Sequence, residues 1–167
     1  IEGGFLRHSL NGFVNLERPL TKDTEVAFVI NSMSIWHKKF VIDNNCYDTS
    51  LLVDHIDTDM CLKALDSNSK ILVFADSTFY HAIGERIKYK FFGFQFQSGG
   101  HSASRRFLIA KNSIILLRRY RHLSGVRSLF VYRVLYEILG IICVEDHKFS
   151  KIISIMRGLF SGAMFRL

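Results

Sequence analysis

The pattern of apolar and polar positions predicts short buried strands in the first part of the chain, with helices between them. Residues 26–30 and 70–74 are apolar runs rich in β-forming residues, which is typical of buried strands. Residues 34–41 and 48–66 are predicted to form the helices between these strands. Residues 1–25 are polar and are broken by glycines and a proline, so we expect a loop-rich approach to the first strand.

The second part of the chain has the spacing of amphipathic helices. Residues 102–120 place apolar side chains among arginines, and residues 128–144 and 149–167 also read as helices. Residues 87–97 alternate basic, aromatic and glycine residues, which fits either a hairpin or an ordered loop. The order of strand, helix, helix and strand, followed by helices alone, predicts an α/β unit with a helical region after it.

Charge is distributed unevenly along the chain and favours acidic partners. The formal net charge is +7, and basic residues far outnumber acidic ones from Lys88 onward, whereas residues 43–66 are acidic. Nucleic acid, anionic lipid and phosphate-bearing substrates all fit such a charge. The sequence has no recognisable helix-turn-helix, zinc-finger or RNP motif, so a nucleic-acid partner is not expected. The three cysteines have no CxxC spacing, which argues against a zinc site and favours a reducing, cytoplasmic compartment.

An acidic cluster carries the strongest candidate chemistry. Asp54, Asp57 and Asp59 fall within six positions. The pattern alone leaves two interpretations open. The cluster is either an acidic first turn of a helix, stabilised by the helix dipole, or it contains a carboxylate that acts as general base beside a neighbour that orients it. His81 follows the second predicted strand, and a single histidine beside carboxylates is too little to specify a metal.

Five segments, taken in order, resemble the second half of family-2 glycosyltransferases, in particular the rhamnosyltransferase branch. The family has an apolar strand with a Ser-Gly-Ser turn, a Gly-x-Phe-Asp-Glu segment, the acidic motif Phe-x-Asp-x-Val-Asp-x-Glu-x-x-Leu-Arg, a Tyr-His-x-x-Gly motif and an Arg-x-Tyr-Tyr-x-x-Arg-Asn helix. The corresponding segments of this chain are residues 28–34, 45–49, 53–63, 80–84 and 106–112.

The resemblance implies a fold and a division of the chain. Residues 1–100 are expected to form the acceptor-side part of a GT-A catalytic domain, which is an α/β fold, and residues 101–167 a region of basic amphipathic helices. The donor-binding half is expected to be absent, because 25 residues precede Val26 and the sole Asp-x-Asp sequence runs from Asp57 to Asp59 in the acceptor-side position. The isolated chain is therefore expected to be inactive.

The resemblance also implies roles for single residues. Asp57 corresponds to the catalytic base that takes the proton from an acceptor hydroxyl, and Asp59 to a residue that holds the acceptor or tunes Asp57. His81 resembles the histidine that reaches a divalent cation, Mg²⁺ or Mn²⁺, on the diphosphate of the donor. Acceptor-binding positions are expected at Ser32, Asp54, Arg106 and Lys111.

The chain departs from the family pattern at several positions. Met33 and Asn45 stand where the family has glycine, and Lys63 and Lys111 stand where it has arginine. A lysine keeps the charge of arginine but loses its planar fork of donors. These departures affect the identity of the substrate more than they affect the fold.

The implied function is inverting transfer of a sugar, L-rhamnose from dTDP-rhamnose, to a lipid-linked saccharide during the synthesis of surface polysaccharide such as O-antigen or capsule. The implied partners are a nucleotide sugar donor, a saccharide acceptor and the membrane surface. The alternative is a non-catalytic remnant or a peripheral membrane-binding module without turnover.

The basic C-terminal region has two open interpretations. Residues 118–122 form a cationic run, and residues 128–144 include the charged residues Arg133 and Glu137, which makes a poor transmembrane span. Basic amphipathic helices commonly lie on anionic membranes, although these helices could instead pack on the catalytic domain. We expect the first, which predicts a cytoplasmic protein peripheral to the inner membrane.

Overall fold

The computed structural model describes residues 5–17, 19–51, 54–77, 87–91 and 94–167. Over these residues the chain is a mixed α/β protein with five α-helices, one short 3₁₀ helix and three two-stranded antiparallel sheets. It divides into two compact units. The N-terminal unit comprises residues 1–82 and 122–126, and the C-terminal unit comprises residues 83–121 and 127–167.

The N-terminal unit begins with a hairpin that the sequence pattern did not predict. β1 (Leu6–Ser9) pairs antiparallel with β2 (Gly12–Asn15). Gly12 has a φ of 115°, a conformation that glycine adopts because it has no Cβ. The expectation of a loop-rich segment over residues 1–25 is therefore wrong for residues 6–15, where the glycine belongs to a tight hairpin and does not interrupt structure.

The strand predicted over residues 70–74 occurs, but the strand predicted over residues 26–30 is wrong except at Val26, where the observed strand ends. β3 (Thr24–Val26) runs antiparallel to β4 (Ile71–Val73). β3 ends earlier than the apolar run over residues 26–30 predicts. The backbone N–H of Val29 donates to Sγ of Cys61 at 3.4 Å, so this residue is bound to a side chain of a helix and not to a neighbouring strand.

The first helix begins later than predicted. α1 (Lys38–Asp43) replaces the helix expected over residues 34–41. The N–H of Ser34 donates to the carbonyl oxygen of Asn31 at 3.2 Å, which closes a turn just before the helix. The turn ends at Ser34, where the helix was expected to begin, and residues 34–37 have no regular secondary structure.

The second helix packs against the core of the N-terminal unit. A short 3₁₀ helix (Thr49–Leu51) precedes α2 (Ile56–Asp66). Cys61 and Ala64 of α2 are buried in the core of this unit. The other core members are residues of the paired strands and partly buried aromatic and aliphatic side chains around them: Val26, Ile71, Phe5, Leu16, Phe28, Val29, Trp36, Phe40 and Val73.

The C-terminal unit contains a hairpin and the long helices. β5 (Ile87–Phe91) pairs antiparallel with β6 (Phe94–Ser98), so the described residues of this segment form paired strands, as the hairpin interpretation predicts. The helices are α3 (Ala103–Arg119), α4 (Val126–Val144) and α5 (Lys148–Met164). All three helices predicted for this part of the chain are thus confirmed.

α3 and α5 pack closely because α5 carries glycine where it meets α3. Gly158 and Gly162 are buried, and a Cβ at Gly158 would collide with the carbonyl oxygen of Phe107. A Cβ at Gly162 would lie 2.9 Å from Cβ of Ile114, which is closer than real side chains pack. Residues four apart share one helix face, so the two glycines together let the helix backbones approach.

α4 completes the core of the C-terminal unit. Val134 and Ile141 of α4 pack with Ala110 of α3 and Ile155 of α5. No helix in the described part of the chain combines the length and the apolar character that crossing a bilayer requires.

Candidate functional site

The first turn of α2 presents the acidic cluster. α2 begins at Ile56, and His55 before it has a left-handed backbone with a φ of 71°. Asp57 and Asp59 lie in this first turn, where the helix dipole favours negative charge. Residues two apart on a helix do not face the same way, and the two carboxylates accordingly have different surroundings.

Asp57 is partly exposed and is bound to the loop that follows β3. The backbone N–H of Asn31 donates to Oδ2 of Asp57 at 3.1 Å. This contact joins two segments that are separate landmarks in the sequence. It also places Ser32, the exposed residue after Asn31, next to the acidic turn.

Asn31 organises the loop through its side chain as well. Oδ1 of Asn31 accepts hydrogen bonds from Oη of Tyr47 at 2.9 Å and from Oγ of Ser34 at 3.2 Å. Oγ of Ser34 in turn accepts from Nε1 of Trp36 at 3.1 Å. One asparagine therefore links two aromatic side chains to a carboxylate. Of the two, Tyr47 is exposed, and an exposed aromatic face beside a few polar groups suits a ligand that is both ring-shaped and hydroxylated.

Two residues near this loop have the backbone conformation that glycine favours. Met33 has a φ of 60° and Asn45 a φ of 58°. Side chains other than glycine seldom adopt this conformation, although asparagine tolerates it better than most. Both residues stand where the glycosyltransferase motifs that these segments resemble have glycine.

Asp59 is buried and is not presented to solvent. Nζ of Lys63 lies 3.2 Å from Oδ2 of Asp59, whose side chain is 0% exposed. The same Nζ donates to the carbonyl oxygen of Cys46 at 2.8 Å, which ties α2 to the segment that carries Tyr47. The expected role of Asp59 in holding an acceptor does not fit a side chain without solvent exposure. Its place in the site is to support the turn that carries Asp57.

Cys61 holds the inner side of the same loop. Its Sγ accepts a hydrogen bond from the backbone N–H of Val29 at 3.4 Å. The same thiol donates to the carbonyl oxygen of Val29 at 3.6 Å. The pKa of the Cys61 thiol is raised to about 12, mainly by burial. The hydrogen bond to Val29 lowers this pKa, and the negative charge of Asp57 raises it further. Cys61 is therefore a neutral structural group.

The remaining residues expected near the reaction are Asp54 and His81. Asp54 is partly buried and precedes α2 in the same unit as Asp57. His81 lies outside the described residues, so its contact with a cation stays a prediction. Within the described ranges, no group of three or more His, Cys, Asp and Glu side chains could hold a metal ion.

Arg106 lies inside the C-terminal unit. Its guanidinium forms ion pairs with Glu137 and Glu145, and Arg106 is 2% exposed. Burial lowers the pKa of Arg106, and the charge of Glu145 opposes that effect. The two carboxylates occupy the guanidinium, so the structure replaces the expected acceptor contact of Arg106 with an internal ion-pair network.

Glu145 extends this network to two further residues. Besides Arg106, it binds Nζ of Lys151 at 2.8 Å and accepts a hydrogen bond from the hydroxyl of Ser98. Burial raises the pKa of Glu145, but the hydrogen bonds from Lys151 and Ser98 and the charge of Arg106 outweigh burial and leave the pKa below its ordinary value. Glu145 is therefore ionised at neutral pH.

Lys111 also belongs to the C-terminal unit. Its Nζ lies 5.3 Å from the ring centroid of Phe165, within the range of a cation–π contact. The expected site residues thus belong to two different units. The N-terminal unit holds Ser32, Asp54, Asp57 and Asp59, and the C-terminal unit holds Arg106 and Lys111.

Sequence reasoning missed Asn31, Tyr47 and Trp36 as site residues. Two of them lie in segments that carry the resemblance, but nothing in their spacing shows that they meet. The one available signal is the pair of short polar residues, Asn31 and Ser34, on either side of a turn. Such residues often bind nearby backbone, and here the hydroxyl of Ser34 donates to the carbonyl oxygen of Asn31 at 3.0 Å.

Comparison with known proteins identifies no relative of this chain. No protein-family model matches the chain, and no curated protein and no solved structure matches it. Function is therefore inferred from the site geometry together with the motif resemblance.

Proposed function

We propose that this chain supplies the acceptor-binding side of an inverting family-2 glycosyltransferase of the GT-A type, with Asp57 as its catalytic base. The observation that carries the proposal is the 3.1 Å hydrogen bond from the N–H of Asn31 to Asp57. It joins the turn that resembles Ser-Gly-Ser to the acidic motif, as an acceptor pocket made of these two motifs requires. The left-handed backbone of Met33 and Asn45 supports the same alignment.

Asp57 is held in a way that suits a general base. The N–H of Asn31 fixes one oxygen of the carboxylate, which leaves the other to meet an acceptor hydroxyl. That hydroxyl transfers its proton to Asp57 while its oxygen forms a bond to the anomeric carbon of the donor sugar. The bond from this carbon to the diphosphate oxygen breaks in the same step, and the leaving group keeps the electron pair. A single displacement of this kind inverts the anomeric configuration.

The surrounding side chains fit an acceptor sugar. Tyr47 offers an exposed aromatic face for the C–H face of a pyranose ring, and Ser32 offers an exposed hydroxyl for hydrogen bonding. Asp59 and Lys63 support this arrangement from within the unit. The nucleotide sugar, proposed to be dTDP-L-rhamnose, and its divalent cation bind to a donor half outside these residues.

We propose that the acceptor is a lipid-linked saccharide of surface-polysaccharide synthesis at the cytoplasmic face of the inner membrane. The support is the motif resemblance together with the charge of the chain, +7, which favours anionic surroundings. The alternative, a remnant without turnover, predicts no affinity for saccharides at the first turn of α2.

The proposal is tested by saturation-transfer NMR with a panel of methyl glycosides that includes methyl α-L-rhamnoside. We expect signal transfer to at least one glycoside, and we expect Tyr47→Ala and Asp57→Ala to remove most of it. Asp43→Ala is the matched control, because Asp43 is an exposed carboxylate of α1. Absence of binding to every glycoside, or an equal loss in Asp43→Ala, would overturn the proposal.

A calorimetric titration tests the division between donor and acceptor sides. Addition of dTDP-rhamnose with Mn²⁺ to the purified chain is expected to give no binding heat. Metal-dependent heat would show instead that this chain holds the donor itself.

A further inference from the structure

α5 carries a continuous apolar stripe on its outer face. The stripe consists of large side chains at intervals of three or four residues, all of them exposed: Phe149, Ile153, Met156, Phe160 and Met164. At about 100° per residue, such intervals keep side chains on one face of a helix. Phe107 of α3 borders the stripe in a shallow groove that Met156 and Phe160 also line.

The stripe is not a part of the core. The buried residues of α5 are Ile155, Gly158 and Gly162, which lie on the opposite side of the helix by the same geometry. Gly158 and Gly162 meet the backbone of α3. The packing of α5 is therefore complete without the stripe, and Phe160 remains 71% exposed.

α4 has an outward apolar face of its own. Tyr132, Leu135, Leu139 and Ile142 are exposed, whereas Val134 of the same helix is buried in the core. A patch of exposed apolar side chains of this kind on a folded unit indicates an interaction surface. Two helices of one unit thus present such faces.

The C-terminal unit is also strongly basic. Of the 22 Lys and Arg residues in the chain, 15 lie in this unit, and of the 15 Asp and Glu residues 4 lie there, which gives it a formal charge of +11. The N-terminal unit has 7 basic and 11 acidic residues and a formal charge of −4. The positive charge of the chain therefore belongs to the unit with the exposed apolar faces.

Two of the four acidic residues of this unit, Glu137 and Glu145, are buried, and the exposed Asp146 lies between α4 and α5. Glu137, the sole acidic residue of α4, is buried and pairs with Arg106 and Arg133. Glu145 is buried and pairs with Arg106 and Lys151. α5 contains no acidic residue. The outer surfaces of both helices consequently combine apolar side chains with cations and present no carboxylate.

We propose that α5, with α4 beside it in the sequence, docks the C-terminal unit onto an anionic phospholipid surface. The exposed stripe enters the interface between headgroups and acyl chains, and flanking cations such as Arg157 meet lipid phosphates. A second copy of the chain fits this surface poorly, since two units of +11 repel each other. The proposal does not rest on glycosyl transfer, because it uses none of the residues around Asp57.

Vesicle co-sedimentation of the purified chain tests this proposal. The probes are vesicles of phosphatidylcholine alone and of an equal mixture with phosphatidylglycerol. We expect binding to the mixed vesicles that weakens as salt is added. Arg157→Glu is expected to weaken binding by about tenfold or more, since one basic residue near an anionic surface contributes about a fivefold gain in affinity. The double variant Met156→Gln, Phe160→Gln is expected to lose binding.

Matched controls come from the N-terminal unit. Lys39→Glu makes the same change in net charge at a side chain that is 80% exposed, and Leu10→Gln removes an apolar side chain that is 97% exposed. Both are expected to bind vesicles like the unchanged chain. Circular dichroism checks that every variant keeps its helices.

Three results would overturn the proposal. The first is equal binding to neutral and mixed vesicles, and the second is equal loss in the variants and their controls. The third is a chain that does not bind vesicles but is a dimer by light scattering, and that becomes monomeric in the double variant Met156→Gln, Phe160→Gln. This result would assign the stripe to contact with a second copy. Loss of glycoside binding in Tyr47→Ala would leave vesicle binding unchanged, so the two proposals fail independently.

Discussion

Lys63 of α2 lies 3.2 Å from the carboxylate of Asp59, at a place where Asp59 has no solvent exposure. Removing the cation leaves a buried charge without its ion-pair partner, which typically destabilises a protein by about 3 kcal/mol or more. We therefore expect Lys63→Met to lower the free energy of unfolding by about 3 kcal/mol in urea titrations at neutral pH.

The exposed pair of Lys39 and Asp43, separated by 3.9 Å, provides the control for that measurement. Lys39→Met is expected to change the free energy of unfolding by about 0.5 kcal/mol or less, because water screens exposed ion pairs. Equal effects of the two substitutions would contradict the structural role assigned to Lys63.

Met33 holds a left-handed backbone with a φ of 60°. This conformation destabilises a folded residue that has a side chain by about 1 to 2 kcal/mol. Glycine avoids that strain, but its greater conformational freedom in the unfolded state cancels part of the gain in stability. Met33→Gly is expected to stabilise the chain by about 0.5 kcal/mol, measured by urea unfolding. Ile35→Gly, at an exposed position outside the left-handed region, is expected to destabilise it. Destabilisation by both would show that Met33 makes contacts that outweigh its strain.

The thiol of Cys61 has a pKa of about 12, raised by burial from 9.0. Between these two values the unfolded chain loses the proton while the folded chain keeps it, so stability falls as pH rises. The slope is about 1.4 kcal/mol for each pH unit. We expect the stability of the unchanged chain to fall more steeply than that of Cys61→Ala from pH 9 upward. Thiol reagents are expected to modify the exposed Cys46 and to spare Cys61 until unfolding. Parallel alkaline curves for the two proteins would contradict this account.

Glu145 predicts the opposite dependence on pH. Its folded pKa lies below the ordinary value of 4.5, so its contribution to stability is present above that value and is lost as pH falls through the folded pKa. Glu145→Gln is expected to be less stable than the unchanged chain at neutral pH. The difference should shrink below about pH 4 in acid unfolding followed by circular dichroism. A difference that stays constant with pH would indicate a packing effect and not a charge effect.

Local patterns predicted the helices of the C-terminal unit well. α3, α4 and α5 were visible in the sequence because each has a repeat of apolar positions and little competing turn chemistry. The hairpin of β1 and β2 was not visible, since its four-residue strands lack a clear alternation of apolar and polar residues.

Residues that depend on distant partners were harder to assign. Arg106 resembled an acceptor-binding arginine, but Glu145, 39 residues later, takes its guanidinium inside the helical core. Asn31 gave no signal because its importance comes from contacts with Tyr47 and Asp57, 16 and 26 residues away. Periodicity reports which face of an element is buried, but it does not report which polar groups meet across the fold.

The two glycines of α5 have a mechanical consequence. Because Gly158 and Gly162 sit directly against the backbone of α3, α5 cannot roll about its own axis without driving a side chain into its neighbour. The rotation of α5 about its own axis is therefore fixed by this packing. Phe160 and Met156 are exposed to solvent before any ligand binds. α5 therefore does not have to rotate on binding, and no binding free energy is lost to such a change. The exposed apolar surface is preorganised for its target.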